Sequence, residues 1–291
     1  MAPYPAGWDD DPDLSVESLP YTVLLLLAQF TVGTVALVLY TQIRGTFEAA
    51  FIRACSYIVV SGALLLTLTA LAINPSDTAE AFALDADAIE PIRALSMALL
   101  LFSVAYMFYV RRTDDTFLSQ AFGATCVGIG IALLILCASL VRIPTWSILG
   151  PGLTMFAGAL TLGTFTVAMI WGHWYLVNPK LEAGPLNELT LICLGSVLLQ
   201  LVVTAINAII PVGTEIDSNA LLAIDLAANP AFWLRIGIGL VFPAALAFMA
   251  YSSSKENSMM SATGLLYIAV GAILAGEALG RGLLFVTGAA V

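Results

Sequence analysis

Residues 260–285 read Met-Ser-Ala-Thr-Gly-Leu-Leu-Tyr-Ile-Ala-Val-Gly-Ala-Ile-Leu-Ala-Gly-Glu-Ala-Leu-Gly-Arg-Gly-Leu-Leu-Phe. At 1.5 Å per helical residue, a run of this length crosses a hydrocarbon core of roughly 30 Å. It holds two charges, Glu277 and Arg281, four positions apart and so on one helical face. A charge within a bilayer costs about 3 kcal/mol on insertion scales. A run that keeps two of them has either a structural pairing or a chemical use for them. The glycines beside them, Gly276 and Gly280, form a small-xxx-small step. That step lets a neighbouring helix approach on the turn that carries Glu277, which would turn the acid into a bundle and away from lipid.

The rest of the chain has the same character. Of 291 residues, 60% are hydrophobic and 10% charged, with a mean hydropathy of +0.97. A soluble domain carries about 25% charged residues, so this composition belongs in lipid. Runs long enough to span occur eight times, at about 21–40, 51–73, 92–110, 121–141, 153–174, 189–212, 230–251 and 260–285. They are continuous and not alternating, and in lipid every backbone polar group must be paired within its own segment. The fold class is therefore an all-α integral membrane protein, an eight-helix transmembrane bundle. We expect an acidic extramembrane tail over 1–20 and one transmembrane domain over 21–291, in two four-helix halves of about 21–141 and 152–285. The two longer connections, 74–91 and 213–229, have room for short surface helices, and 220–228 has the apolar content for one.

Bases near span ends set the expected orientation. Arg44, Arg53, Arg111, Arg112, Lys180 and Lys255 follow the first, third, fifth and seventh spans, whose connections should be cytoplasmic. The acidic N-terminus and the acid-bearing loops around 77–90 and 215–225 then face outward, as do both termini. Residues 1–19 contain no Lys or Arg and carry Asp9, Asp10, Asp11, Asp13 and Glu17, unlike a secretory signal with its basic start. The net charge of −10 and the lack of a basic cluster exclude nucleic acid as a partner.

Counting from the span ends places Arg93, Arg142, Arg235, Glu277 and Arg281 in the outer third of their helices. In the sixth span Gln200, Thr204 and Asn207 share a face at i, i+4 and i+7, with Asn207 at the same level. If these groups also meet laterally, they line a polar pocket toward the outer leaflet. The alternative is an intrahelical Glu277–Arg281 pair, with Arg93, Arg142 and Arg235 reaching to headgroups. His173, the one histidine, lies in the Trp-Gly-His-Trp-Tyr stretch ending the fifth span. It is either a member of an interfacial aromatic belt, or a proton relay or a metal or haem ligand. A single histidine excludes bis-histidine haem b unless Met serves as the second ligand. Cys55, Cys126, Cys137 and Cys193 form no C-x-x-C pair, so an iron–sulfur or zinc site in this chain is not expected, and they read as small apolar fillers.

The eight spans, the outward termini, the lack of paired haem ligands and the last span ending in Gly276-Glu277-xxx-Gly280-Arg281 resemble the haem-free, quinone-reactive anchor subunits of molybdopterin oxidoreductases, of the dimethyl-sulfoxide-reductase and polysulfide- or nitrite-reductase types. The resemblance implies a subunit of a respiratory complex in a prokaryotic cell membrane. It would hold an iron–sulfur subunit and a catalytic subunit on its outer face and exchange electrons with menaquinone or ubiquinone. By position, Glu277, Arg281, Arg235, Asn207 and Gln200 would serve that pocket, with Thr204 and Arg142 beside them and His173 in proton transfer. Two further readings are a small anion transporter and a non-catalytic membrane scaffold. Broken helices mark many transporters, and Pro243 is the one mid-span break visible here.

Overall fold

Pro20 opens the first helix, where its missing N–H costs nothing, and Gly45 closes it in the left-handed region at φ 67°. This helix, α1 (Leu19–Arg44), runs past its apolar stretch at the second end, where Thr41, Gln42 and Arg44 continue a helix that lipid has already enforced. The chain continues through α2 (Ala49–Ala72), α3 (Ile89–Arg112), α4 (Thr116–Leu140), α5 (Leu149–Val177), α6 (Gly184–Ile209), α7 (Pro230–Lys255) and α8 (Met259–Thr287), whose ends lie within a few residues of the expected spans. The computed structural model describes residues 18–74, 84–112, 116–141, 148–178, 181–209, 226–287 and 289–291. Among these residues, eight helices are long and apolar enough to cross a membrane, and there is no strand. Of the expected surface helices, the described parts show only 3-10 turns at Ala86–Ala88 and Leu226–Ala228. The acidic tail over 1–17, Asp77, Glu80 and residues 220–225 lie outside the described residues.

The helices pack as two closed rings. In the first, α1 contacts α2, α2 contacts α3, α3 contacts α4, and α4 returns to α1; in the second, α5 to α8 close in the same order. The rings join chiefly through α1 against α5, the two most enclosed helices, with 72% of the most apolar part of each buried. Their crossing is at Gly33 and Gly163, where a Cβ on either residue would overlap the backbone of the other helix. Such contact gives dispersion energy that a larger residue would forfeit, and in lipid it stands in for the hydrophobic drive between helices. The outer surface is apolar, as at Leu64, Leu68 and Leu71 of α2 and Leu101 of α3, which face away from the bundle.

We call the two faces of the bundle the Leu19 end and the Arg44 end. At the Arg44 end, Arg44 pairs with Glu188 of α6 at 2.9 Å, and the Tyr40 hydroxyl donates to the same carboxylate. Phe47 and Phe51 pack edge-on against Trp171 there, at 4.8 and 4.9 Å between centroids. At the Leu19 end, Arg93 donates to the last carbonyls of α2, Ala70 at 3.0 Å and Ile73, and pairs with Glu90. The four cysteines are buried and unpaired.

Candidate functional site

Three local features of α7 and α8 put an arginine beside Glu277. Asn229 caps α7, its side chain accepting from the Ala231 amide at 2.9 Å, and Pro230 occupies the first turn. Further along, a π turn at Gly237–Val241 interrupts the helix just before Pro243. Proline has no N–H to return to the Gly239 carbonyl, and an inserted residue is one way a helix resolves that deficit. Gly239 then faces Gly276, and a Cβ on either would overlap the other's α-carbon. This contact brings Arg235 across the glycine step of α8, with its guanidinium against Gly276 and Gly280.

Glu277 lies at the centre of the resulting cluster, with 0% of its surface exposed, as also for Arg235, Arg281 and Gln200. One carboxylate oxygen, Oε1, accepts from Arg235 Nη2 at 2.6 Å and from Gln200 Nε2. The other, Oε2, accepts from Arg281 Nη2 at 3.4 Å and from Gln29 Nε2 of α1 at 3.3 Å. Gln29 Nε2 is also 3.3 Å from the Met155 carbonyl, which ties α1 to α5 at this level. Gly158 of α5 leaves the space for this meeting, since a Cβ there would overlap Gln29 Nε2 and Glu277 Oε2. The expected intrahelical Glu277–Arg281 pair thus exists, but the shorter ion pair is with Arg235, from another helix.

Charge and hydrogen bonding do not close within this group. Two guanidiniums meet one carboxylate, a surplus of one positive charge in a buried setting. Among the described residues, Arg235 Nε and Nη1 and Arg281 Nε have no acceptor, and Gln29 Oε1 and Gln200 Oε1 have no donor. Buried polar atoms are nearly always partnered, by protein or by something else, and leaving one unpaired costs about 1–3 kcal/mol. Three donors and two acceptors around one carboxylate therefore suit a small polar group, whether water or part of a ligand.

The remaining expected site residues divide. Thr204 and Asn207 are buried on the same face of α6 as Gln200, as their spacing requires. Asn207 forms a separate layer about 10 Å nearer the Leu19 end, seven residues along the helix. Its amide donates to Thr154 Oγ1 at 2.7 Å and to the Ala290 carbonyl at 2.9 Å. The Thr204 hydroxyl, between the layers, has no partner among the described residues. Arg93 belongs to the other ring and does not join the cluster. Arg142 lies outside the described residues. His173 is exposed and shares a 2.9 Å hydrogen bond with Tyr267, ten residues or about 15 Å along α8 from Glu277. It is not part of the cluster. In place of a cleft open to the outer leaflet, the structure has an enclosed cluster.

Gln29 was not among the expected residues. It is the one carboxamide within the otherwise apolar run 21–40. A buried amide in lipid requires partners, and that requirement was the available signal.

No protein-family model matches the chain, and no curated protein matches it in sequence. Among solved structures the chain is similar to that of bd oxidase from Geobacillus thermodenitrificans, at 12% identity and a TM-score of 0.59. The likeness covers 94% of this chain and 88% of that chain, so it extends over the whole eight-helix plan. At this identity it is a likeness of fold.

Proposed function

We propose that the chain is a membrane subunit of a respiratory oxidoreductase that exchanges electrons with a quinone or quinol at the Glu277 cluster. The observation that carries this reading is the set of unpaired donors, Arg235 Nε and Nη1 and Arg281 Nε, beside a carboxylate in a water-poor setting. A quinone carbonyl gains negative charge on reduction, and guanidinium N–H groups aimed at it stabilise that charge more strongly than they would in water. Glu277 is the group to take a proton from a quinol hydroxyl or return one to a quinone, with Gln200 and Gln29 holding its two oxygens in place. The similarity in fold to a bd oxidase supports a respiratory setting.

In this reading the electrons pass to or from a partner, an iron–sulfur subunit with its catalytic subunit, docked at the Leu19 end of the bundle. That end faces outward from a prokaryotic plasma membrane. A second reading, a small anion transporter, draws on the π turn at Gly237–Val241, which breaks α7 one turn from Arg235.

The test is quinone retention by the purified chain in lipid nanodiscs, measured by extraction and by fluorescence quenching. Glu277→Gln and Arg281→Gln should each weaken binding of a short-chain quinone by roughly tenfold to a hundredfold, the worth of hydrogen bonds to charged groups. Glu182→Gln, outside the cluster, should leave it unchanged. Equal quinone affinity in all four proteins removes the quinone reading, and uptake of labelled anion into vesicles that is lost in Arg281→Gln replaces it with transport.

A further inference from the structure

At the Arg44 end, away from the Glu277 cluster, a cleft of ≈ 340 Å³ opens between α1, α2, α3 and α4. Three guanidiniums line it: Arg53 from the first turns of α2, and Arg111 and Arg112 from the last turn of α3. All three are exposed to solvent, and Arg111 and Arg112 lie over the Tyr57 and Phe108 rings at 5.7 and 4.6 Å, so water and ring faces screen part of their mutual repulsion and an anion entering the cleft relieves the rest. None of the three has a carboxylate at ion-pair distance among the described residues, whereas Arg44, at the same end, is paired with Glu188.

The other walls fit the same conclusion. Gln42 forms a fixed neutral floor, its amide donating to Ser119 Oγ at 2.7 Å and its Oε1 accepting from the Tyr106 hydroxyl at 2.9 Å. Ala49, the first residue of α2, also lines the cleft. That helix end has no side-chain cap, because Glu48 at the cap position is turned to Trp174 and Asn178. Its dipole therefore adds to the positive field of the arginines. Ile52, Val110 and Phe47 make the remaining wall apolar.

We propose that this cleft binds a phosphate group, with its oxygens on Arg53, Arg111 and Arg112. Guanidinium forks match phosphate oxygens two at a time, and basic pockets between transmembrane helices are suited to anionic headgroups. The apolar wall suits the first carbons of an acyl-glycerol, so a phospholipid headgroup and free phosphate are both candidate sources of the same chemistry. The site is independent of the quinone reading.

The experiment is native mass spectrometry of the full chain released from phosphatidylglycerol or phosphatidylcholine nanodiscs, and separately after incubation with inorganic phosphate alone. Each arginine near an anionic surface contributes roughly fivefold, so the Arg53→Gln, Arg111→Gln, Arg112→Gln triple variant should lose phosphatidylglycerol retention on the order of a hundredfold. Arg44→Gln, the same change in charge outside the cleft, should retain it. Phosphatidylglycerol retained through the three arginines makes the lipid the source. Inorganic phosphate bound alone, with the same arginine dependence, makes free phosphate the source. Neither ligand showing that dependence overturns the proposal. So does retention that emerges only after Asp114→Asn and Asp115→Asn, since the arginines are then neutralised by the loop that comes after them.

Discussion

Glu277 has two positive partners, and removing it leaves both guanidiniums buried without a counter-charge. Glu277→Ala should therefore destabilise the protein by about 3–5 kcal/mol in reversible detergent unfolding, the range for breaking a buried ion pair from one side. Replacing all three charges together, with Glu277→Met, Arg235→Met and Arg281→Met, should recover most of that loss, because the desolvation cost of the charges goes with them. If the triple variant is no more stable than Glu277→Ala, the cluster is a stabilising network in its own right, with no need of a ligand. Gly158→Val tests the space itself. A side chain there pushes Gln29 and Glu277 apart, so the change should cost about 1–3 kcal/mol by overpacking and also lower quinone retention. Glu277, Arg281, Arg235 and Gln200 were visible in the sequence because charged and amide groups stand out in apolar runs. Their meeting was only a matching of depths. Gln29 was overlooked because one amide in an apolar run carries no spacing pattern to mark it.

The elements divide into those that sequence periodicity describes and those that packing reshapes. Continuous apolar runs become α1 to α6 and α8 with ends displaced by a few residues, since hydropathy marks the lipid-facing length and caps mark the helix. In α7 the combination of Gly237, Gly239 and Pro243 yields a π turn that no hydropathy count reports. Pro243→Ala restores an N–H donor to the Gly239 carbonyl and favours regular α-helix. Straightening shifts the register of Arg235 against Gly276 and Gly280, so this variant should lower the Arg235–Glu277 coupling. A double-mutant cycle between positions 235 and 277 in the wild-type and Pro243→Ala backgrounds measures it, and an unchanged coupling energy would show that the π turn does not aim Arg235. The α1–α5 crossing makes a harsher demand. Gly33→Leu should prevent stable assembly of the two rings, read as loss of a monodisperse purified protein, because the overlapping atoms are backbone and cannot swing aside.

At the scale of the molecule, the chain is a pair of four-helix rings sharing the α1–α5 seam, with a likeness of fold to a bd oxidase over 94% of its length. The unevenness between the rings is informative. Among the described residues, fully buried charge is confined to the α5–α8 ring, with Gln29 reaching it from the seam, while Arg93 of the first ring serves as a cap for the end of α2. From the distribution of bases along the chain we propose an orientation with the Leu19 end outward. All four cysteines are buried, which leaves surface cysteines introduced one at a time as clean reporters. In intact cells a membrane-impermeant maleimide should label Ser18→Cys and spare Asn257→Cys, and the reverse pattern would invert the orientation together with the partner surface proposed at the Leu19 end.

Composition and run length by themselves determined that this is an eight-helix membrane bundle, because a chain in lipid must satisfy its backbone within each segment, and that is a local property. Depth along each helix was likewise a local count. Lateral neighbours are not local. Whether Arg235 or Arg93 reaches Glu277, whether His173 joins them, and whether Gln29 completes the cluster were decided by the glycine contacts at Gly33–Gly163 and Gly239–Gly276, where backbone meets backbone at a distance only the assembled bundle sets. The stretch around Glu277 announces a buried acid and base. The tertiary structure adds a second arginine and two amides, and leaves N–H groups with no acceptor among the described residues.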